Sequence, residues 1–316
     1  MSNRAQTPDF VCDEEGFTNE ITLNPRMVKL TTRTGIDIGR TLPHRHIRTI
    51  GAWCFVDHYG PTDQSDAMSV AAHPHAGLQT VSWLFSGEVE HRDSLGSIQH
   101  VLPGELNIMT SGRGIAHSEL SVNVRSHLHG IQLWTVLPDL DRNAQPTFQH
   151  LGDLPAFVWQ GLKIRLFVGD FLGESSPATI YSPLIGAEID VSPDSTASIP
   201  VQACFEHGIL VVAGEVTVNA NSVSLGQLHY IPTGREAISL SSSEGAKVVL
   251  LGGEPFKEKI VMWWNFIART HDEIFQMRQD WESQSQRFPS FTDRIGGRIP
   301  APPLPNLKLK PRANPE

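Results

Sequence analysis

An all-β chain is predicted, built as two β-barrels in tandem with one helix near the C-terminal end. Three observations carry this. First, short apolar runs such as Thr80–Phe85, Gly130–Val136 and Lys163–Val168 are punctuated by Gly, Pro, Asn and Asp, as in sandwiches and barrels of many short strands. Second, one phrase recurs: Leu84-Phe85-Ser86-Gly87-Glu88-Val89 resembles Val211-Val212-Ala213-Gly214-Glu215-Val216, and Pro103-Gly104-Glu105-Leu106 resembles Leu225-Gly226-Gln227-Leu228. Gly112-Arg113 then matches Gly234-Arg235, eight residues beyond the preceding glycine in both copies. Preserved order and spacing argue against chance and for two copies of one unit. Third, a helical period occurs in a single segment, from Thr270 to about Gln284, where Ile274, Met277 and Trp281 recur between charged residues. Thr270 or Asp272 is its expected cap, with Glu273 in the first turn.

In chain order, residues 1–25 read as a flexible arm, 26–150 as a first barrel, and 151–288 as a second barrel with the helix. Residues 289–316 read as a tail kept extended by Pro300, Pro302, Pro303, Pro305, Pro311 and Pro315. With 316 residues, 40% hydrophobic and 19% charged, the chain can bury a sizeable core. Net charge is −9 and the body has no long basic run, which argues against direct nucleic-acid binding. Lys308, Lys310 and Arg312 are expected to solvate the tail. Cys12, Cys54 and Cys204 are odd in number and far apart, so neither a disulfide framework nor a thiolate zinc site is expected. The first 20 residues carry no apolar leader, and no apolar stretch is long enough to span a membrane. The expected compartment is the cytoplasm, or also the nucleus in a eukaryote.

The chemistry concentrates in His73-Pro74-His75 and His117-Ser118-Glu119. Residues at i and i+2 of a strand point the same way, so each piece is a two-toothed clamp. Facing clamps would put three imidazoles and a carboxylate around a divalent transition metal, with positions open for water or substrate. Pro74 places its strand at an edge or start, and Gly112-Arg113-Gly114 allows the bend that swings the second clamp toward the first. The repeat acts as a control. Carried across without gaps, His73 and His75 fall on Pro200 and Gln202, and His117 and Glu119 on Ser239 and Ser241. The second copy keeps turn glycines and lacks the ligands, so a metal is expected in the first barrel alone. Two other pairs, His44-Arg45-His46 and His127-Leu128-His129, lack a carboxylate at clamp spacing, and the first sits among Arg40, Arg45 and Arg48.

These residues resemble the pirin family of the cupin superfamily. The resemblance rests on His73-Pro74-His75-Ala76-Gly77-Leu78-Gln79-Thr80, His91-Arg92-Asp93-Ser94-Leu95-Gly96, Pro103-Gly104 and Met109-Thr110-Ser111-Gly112-Arg113-Gly114-Ile115-Ala116-His117-Ser118-Glu119. Val56-Asp57-His58-Tyr59-Gly60-Pro61 and Trp263-Trp264-Asn265-Phe266 extend it to about residues 25–285. It implies two cupin, jelly-roll-like barrels and a metal on His73, His75, His117 and Glu119. Fe2+ is the implied ion, with Ni, Cu, Mn, Zn and Co as the other candidates. Gln79 stands where cupins usually carry a glutamate, and a neutral amide is a poor ligand beside imidazoles. The implied activity is that of a quercetin 2,3-dioxygenase, opening a flavonol with O2 to a depside and carbon monoxide, with Glu119 as general base. Two alternatives stay open: a metal-bearing regulatory protein that acts through a protein partner without turnover, and a purely structural metal. Met109, Trp83 and Phe85 are candidate pocket residues, and His91 and Asp93 candidates for support of the metal or of a turn.

Overall fold

The computed structural model describes residues 19–29, 36–62, 68–122 and 127–314. The first half supplies β1 (Ile21–Leu23), β2 (Arg26–Lys29), β3 (Asp37–Leu42), β4 (Trp53–Tyr59), β5 (Ser69–His75), β6 (Leu78–Ser86), β7 (Val89–Asp93), β8 (Ile98–Val101), β9 (Leu106–Thr110), β10 (Ile115–Ser121), β11 (His129–Val136) and β12 (Thr147–Leu151). Strands β12-β9-β6-β11-β4-β3-β2 form one sheet, and β5-β10-β7-β8 a smaller sheet across from it. The second half repeats the plan with β13 (Ala156–Trp159), β14 (Leu162–Phe171), β15 (Glu174–Ser175), β16 (Leu184–Val191), β17 (Ser195–Pro200), β18 (Glu206–Gly214), β19 (Val216–Val218), β20 (Asn221–Val223), β21 (Leu228–Ile231), β22 (Ala237–Ser242) and β23 (Ala246–Gly253). Its large sheet runs β1-β21-β18-β23-β16-β14-β13, with β15 on β14, and its small sheet β17-β22-β19-β20. The fold is a two-domain cupin arrangement, nearly all strand.

Among the described residues, four apolar cores hold it. One fills the first barrel (Leu78, Leu84, Trp134, Val136) and one the second (Ile209, Val211, Val248, Leu250). A third lies between the two large sheets (Val81, Trp83, Leu133, Leu210, Val249). Alternate residues of β6 and β18 therefore enter different cores, and both faces of these strands are buried. That is why their sequences read as near-continuous apolar runs rather than strict alternation. The repeated glycines have a shared cause. Gly87 and Gly214 (φ 88° and 70°) and Gly104 and Gly226 (φ 83° and 80°) all adopt the left-handed conformation, which residues with a Cβ disfavour.

The fourth core backs the two histidine-bearing strands β5 and β10. The hairpin β24 (Val261–Trp263) and β25 (Phe266–Ala268), helix α1 (His271–Glu282) and the tail pack with Ala76 and Ala116, the neighbours of His75 and His117. Helix α1 starts as its sequence predicts. Thr270 Oγ1 accepts from the Glu273 N–H at 3.2 Å, and Glu273 Oε2 accepts from the Thr270 N–H at 3.0 Å. Ile274, Met277 and Trp281 are buried, each contributing about 1.5–3 kcal/mol, which outweighs the marginal stability of an isolated helix of this length. The tail follows the clamp sheet: Ile299 N–H donates to Ala72 O at 2.8 Å, and Trp281 Nε1 donates to Ile299 O at 2.9 Å.

Two sequence expectations change. Of the expected arm, residues 1–18 lie outside the described residues, whereas β1 pairs with β21 in the second half's sheet. Glu20 also accepts from Arg235 Nε at 2.9 Å. The carry-over of the first clamp shifts by two residues. Ile115 faces His75 and Ala237 faces Pro200, while His117 faces His73 and Ser239 faces Ser198. His73 and His75 thus correspond to Ser198 and Pro200, because the connection after the strand is longer in the second copy (201–205) than Ala76-Gly77. Glu119 still corresponds to Ser241, so the second copy lacks these side chains in either alignment.

Candidate metal centre

His117 of the second clamp meets both histidines of the first. Strands β5 and β10 are antiparallel neighbours with His117 directly across from His73. One ligand atom from each of His73, His75 and His117 lies within 4.8 Å of the others, and all three residues are buried. Glu119 lies further along β10, buried, and outside this close group. A register shift falls between the two positions: His117 faces His73 but Glu119 faces Val70. The extra residue is in β5, where Val70 to His73 takes three steps against two in β10. Strand β10 keeps regular register with β7, so Glu119 stays on the same face as His117, across from His91. Glu119 Oε1 lies 3.5 Å from the Ser82 hydroxyl on β6, whose single proton has a nearer acceptor in Gln132 Oε1 at 2.9 Å.

The ring nitrogens are arranged to leave lone pairs for a cation. His73 Nδ1 donates to Ala71 O at 2.9 Å, which leaves Nε2 as the acceptor nitrogen. Asp93 Oδ2 lies 3.1 Å from His91 Nε2, and His91 Nδ1 lies 3.4 Å from His117 Nδ1. With Asp93 ionised, the protons sit on His91 Nε2 and His117 Nδ1, so His117 Nε2 keeps its lone pair. That nitrogen is buried without a hydrogen-bond partner, as is His75 Nδ1. Asp93 is itself fixed, because its Oδ1 accepts from Leu95 N–H at 2.8 Å and Ser97 N–H at 3.1 Å. His91 stacks on Phe148 at 4.3 Å. Support of the clamp by His91 and Asp93, left open by the sequence, thus has a geometry. The available signal was the same i, i+2 spacing on a strand paired with β10.

Burial sets the charge. It pushes His73, His75 and His117 well below the usual histidine range, and their mutual proximity adds to this. Burial raises the Glu119 carboxyl, opposed by His91. Three neutral imidazoles with free lone pairs in an apolar setting fit a transition-metal ion, which accepts only deprotonated ligands.

Other candidates point elsewhere. Gln79 spends its amide on Thr110 Oγ1 (2.9 Å), Thr179 O (3.0 Å) and Thr135 Oγ1 (3.2 Å). Trp83 enters the core between the barrels, where its Nε1 donates to Glu188 at 2.7 Å, and Phe85 packs against the same core. All three occupy the face of β6 opposite Ser82, so neither aromatic lines the site. Met109, paired with Thr80, is on the site's side of β9. His44 Nδ1 accepts from His46 N–H at 3.3 Å, and His129 pairs with His58 at 2.9 Å. Neither pair joins a group of three ligand atoms among the described residues. Cys54 is buried and free, Cys204 exposed and free, and Cys12 lies outside the described residues. No described helix is long and apolar enough to cross a membrane.

Tandem cupin barrels, one with a converging histidine triad able to hold a metal ion, define a bicupin with a candidate metal centre. Within that class the chain belongs to the pirin family: the Pirin model matches residues 35–135 and the Pirin C-terminal cupin domain residues 186–289. A Pseudomonas aeruginosa protein with the provisional name quercetin 2,3-dioxygenase is 41% identical over 273 residues, 86% of this chain and 87% of that one. A Caulobacter vibrioides pirin-like protein is 35% identical over 84% of this chain and 94% of its own. The crystal structure of a quercetin 2,3-dioxygenase from Acinetobacter baumannii superposes with a TM-score of 0.88 at 37% identity, covering 93% of this chain and 98% of that one.

Proposed function

We propose that the protein is a metal-dependent dioxygenase that opens a flavonol-like ring with O2, holding its ion on His73, His75, His117 and Glu119. The observation that carries this reading is the meeting of three uncharged imidazoles inside a barrel, with a buried carboxylate two residues from one of them. The names of the Pseudomonas and Acinetobacter relatives support the substrate class. An ion bound there, Fe2+ first among Ni, Cu, Mn, Zn and Co, supplies Lewis acidity toward a ring hydroxyl and, if redox-active, a route to O2. Glu119 takes the hydroxyl proton as general base, and a neighbouring cation favours its ionised form against the effect of burial. The Ser82 hydroxyl lies 3.5 Å from one Glu119 oxygen, and Phe148, half-buried and stacked on His91, offers an apolar ring to an aromatic substrate.

The test is Fe2+-loaded protein with quercetin in air. Loss of flavonol absorbance with matching O2 uptake is expected, together with release of carbon monoxide. His75→Ala should lose both metal and turnover. Glu119→Gln should lower kcat about 10²-fold or more, the range of general-base contributions, with the fold intact. No turnover with Fe, Ni, Cu or Mn, alongside a protein partner that copurifies stoichiometrically, would replace this reading with that of a regulatory module.

A further inference from the structure

The wall facing the histidines carries a polar row that runs across the large sheet. Strand register sets Arg40 beside Asp57, Asp57 beside Gln132, Gln132 beside Ser82, Ser82 beside Asn107, and Asn107 beside His150. Paired residues share a sheet face. Ser82 identifies that face as the inner one, since its hydroxyl contacts Gln132 Oε1 at 2.9 Å and Glu119 Oε1 at 3.5 Å. Leu106 and Ile108, which flank Asn107, lie in the core between the barrels, so Asn107 points into the metal barrel. Most of the row is satisfied internally. Arg40 donates twice to Asp57, at 2.7 and 2.8 Å, and His150 Nδ1 meets Asn107 Oδ1 at 2.8 Å. Asn107 Nδ2 is different. It is buried with no hydrogen-bond partner, on a residue only 3% exposed.

A buried donor left unmade is costly, and a ligand oxygen would satisfy it. We propose that Asn107 is a specificity-determining residue whose Nδ2 donates to an oxygen of the bound substrate beyond the hydroxyl that Glu119 deprotonates. It sits one strand from Ser82, itself in contact with Glu119, so the oxygen it reads lies on the same ring system. The ligand class is a planar polyhydroxylated aromatic rather than one bearing a single hydroxyl–ketone pair. Sites that hydrogen-bond a substrate oxygen discriminate strongly against analogues lacking it. This inference rests on the dioxygenase reading and deepens it.

The test titrates Fe2+-loaded protein under argon with quercetin and with 3-hydroxyflavone, which carries only the hydroxyl–ketone pair. The wild type should prefer quercetin. Asn107→Leu and Asn107→Asp, each lacking the donor, should lose about fivefold to tenfold in quercetin affinity, the worth of one hydrogen bond. Their affinity for 3-hydroxyflavone and their metal content should not change. Asn107→Leu loses the 2.8 Å contact to His150 along with the unmade donor, two effects of opposite sign, so its melting temperature should stay close to that of the wild type. An unchanged preference in both variants would overturn the assignment, as would a lower melting temperature with the preference intact, which would make Asn107 a structural partner of His150. A fully loaded wild type that binds neither flavonol would instead defeat the dioxygenase reading itself.

Discussion

Replacing Asp93 with asparagine tests whether the histidine clamp is tuned from behind. Asn Oδ1 can still accept the Leu95 and Ser97 N–H groups, so the turn survives. The other head atom becomes an NH2 facing His91 Nε2, 3.1 Å away in the native chain. Two donors then meet, unless His91 moves its proton to Nδ1. His117 Nδ1, 3.4 Å from that atom, must then accept, and the His117 proton passes to Nε2. The nitrogen whose lone pair would serve a metal has then lost it. Losing this orientation, together with a charge-assisted hydrogen bond of about 1.5–3 kcal/mol, should weaken metal binding about 10- to 100-fold, the usual effect of a mutated outer-shell partner. Competition with a chelator, read by the visible bands of bound Co2+, measures the affinity, and thermal melting of metal-free protein monitors the fold. An affinity within twofold of the wild type would refute the chain of donors. So would a metal-free melting temperature so reduced that misfolding alone accounts for the loss.

His207 gives an acid-sensitivity prediction away from the metal. It is fully buried in the second half, neither ring nitrogen has a partner, and burial lowers its pKa from 6.5 to about 4. A histidine with a depressed folded pKa contributes stability above its unfolded value, and that stability is lost as pH falls through the folded value. About 3 kcal/mol should therefore disappear between roughly pH 6.5 and 4; urea titrations of His207→Leu should show a flatter acid slope and about 1–3 kcal/mol more stability at pH 7, and an unchanged slope would contradict this. Thr270→Ala should cost about 1 kcal/mol by removing the cap of α1, read by denaturant midpoint; no shift would mean that packing alone sets the helix start.

The clamps were legible because strand geometry repeats every two residues, so His73 with His75 advertised itself without any knowledge of the fold. The capping box was legible because it is local: Thr270 and Glu273 are three residues apart. Trp83 and Phe85 were not legible. Both faces of β6 are buried, so composition cannot say which parity enters the metal barrel and which enters the core between the barrels. Gln79 shares a face with Trp83, and its poor fit as a ligand was legible from the chemistry of a neutral amide, which the structure spends on Thr110, Thr179 and Thr135. His91 and Asp93 read equally well as a turn and as support for the metal, because their role depends on β7 lying beside β10, a contact set by topology. The second-half position of β1 is also non-local, pairing residues about 200 apart in sequence. The tail's proline content predicted an extended segment, but its hydrogen bonds to Ala72 and Trp281 depend on tertiary placement.

The most direct measurement is anomalous diffraction, collected at the absorption edge of the metal that the purified protein carries. A single strong peak among the imidazoles of His73, His75 and His117, with a Glu119 oxygen completing the protein ligands, is the predicted result. A peak elsewhere in the molecule, or loaded crystals with no peak between β5 and β10, would contradict it.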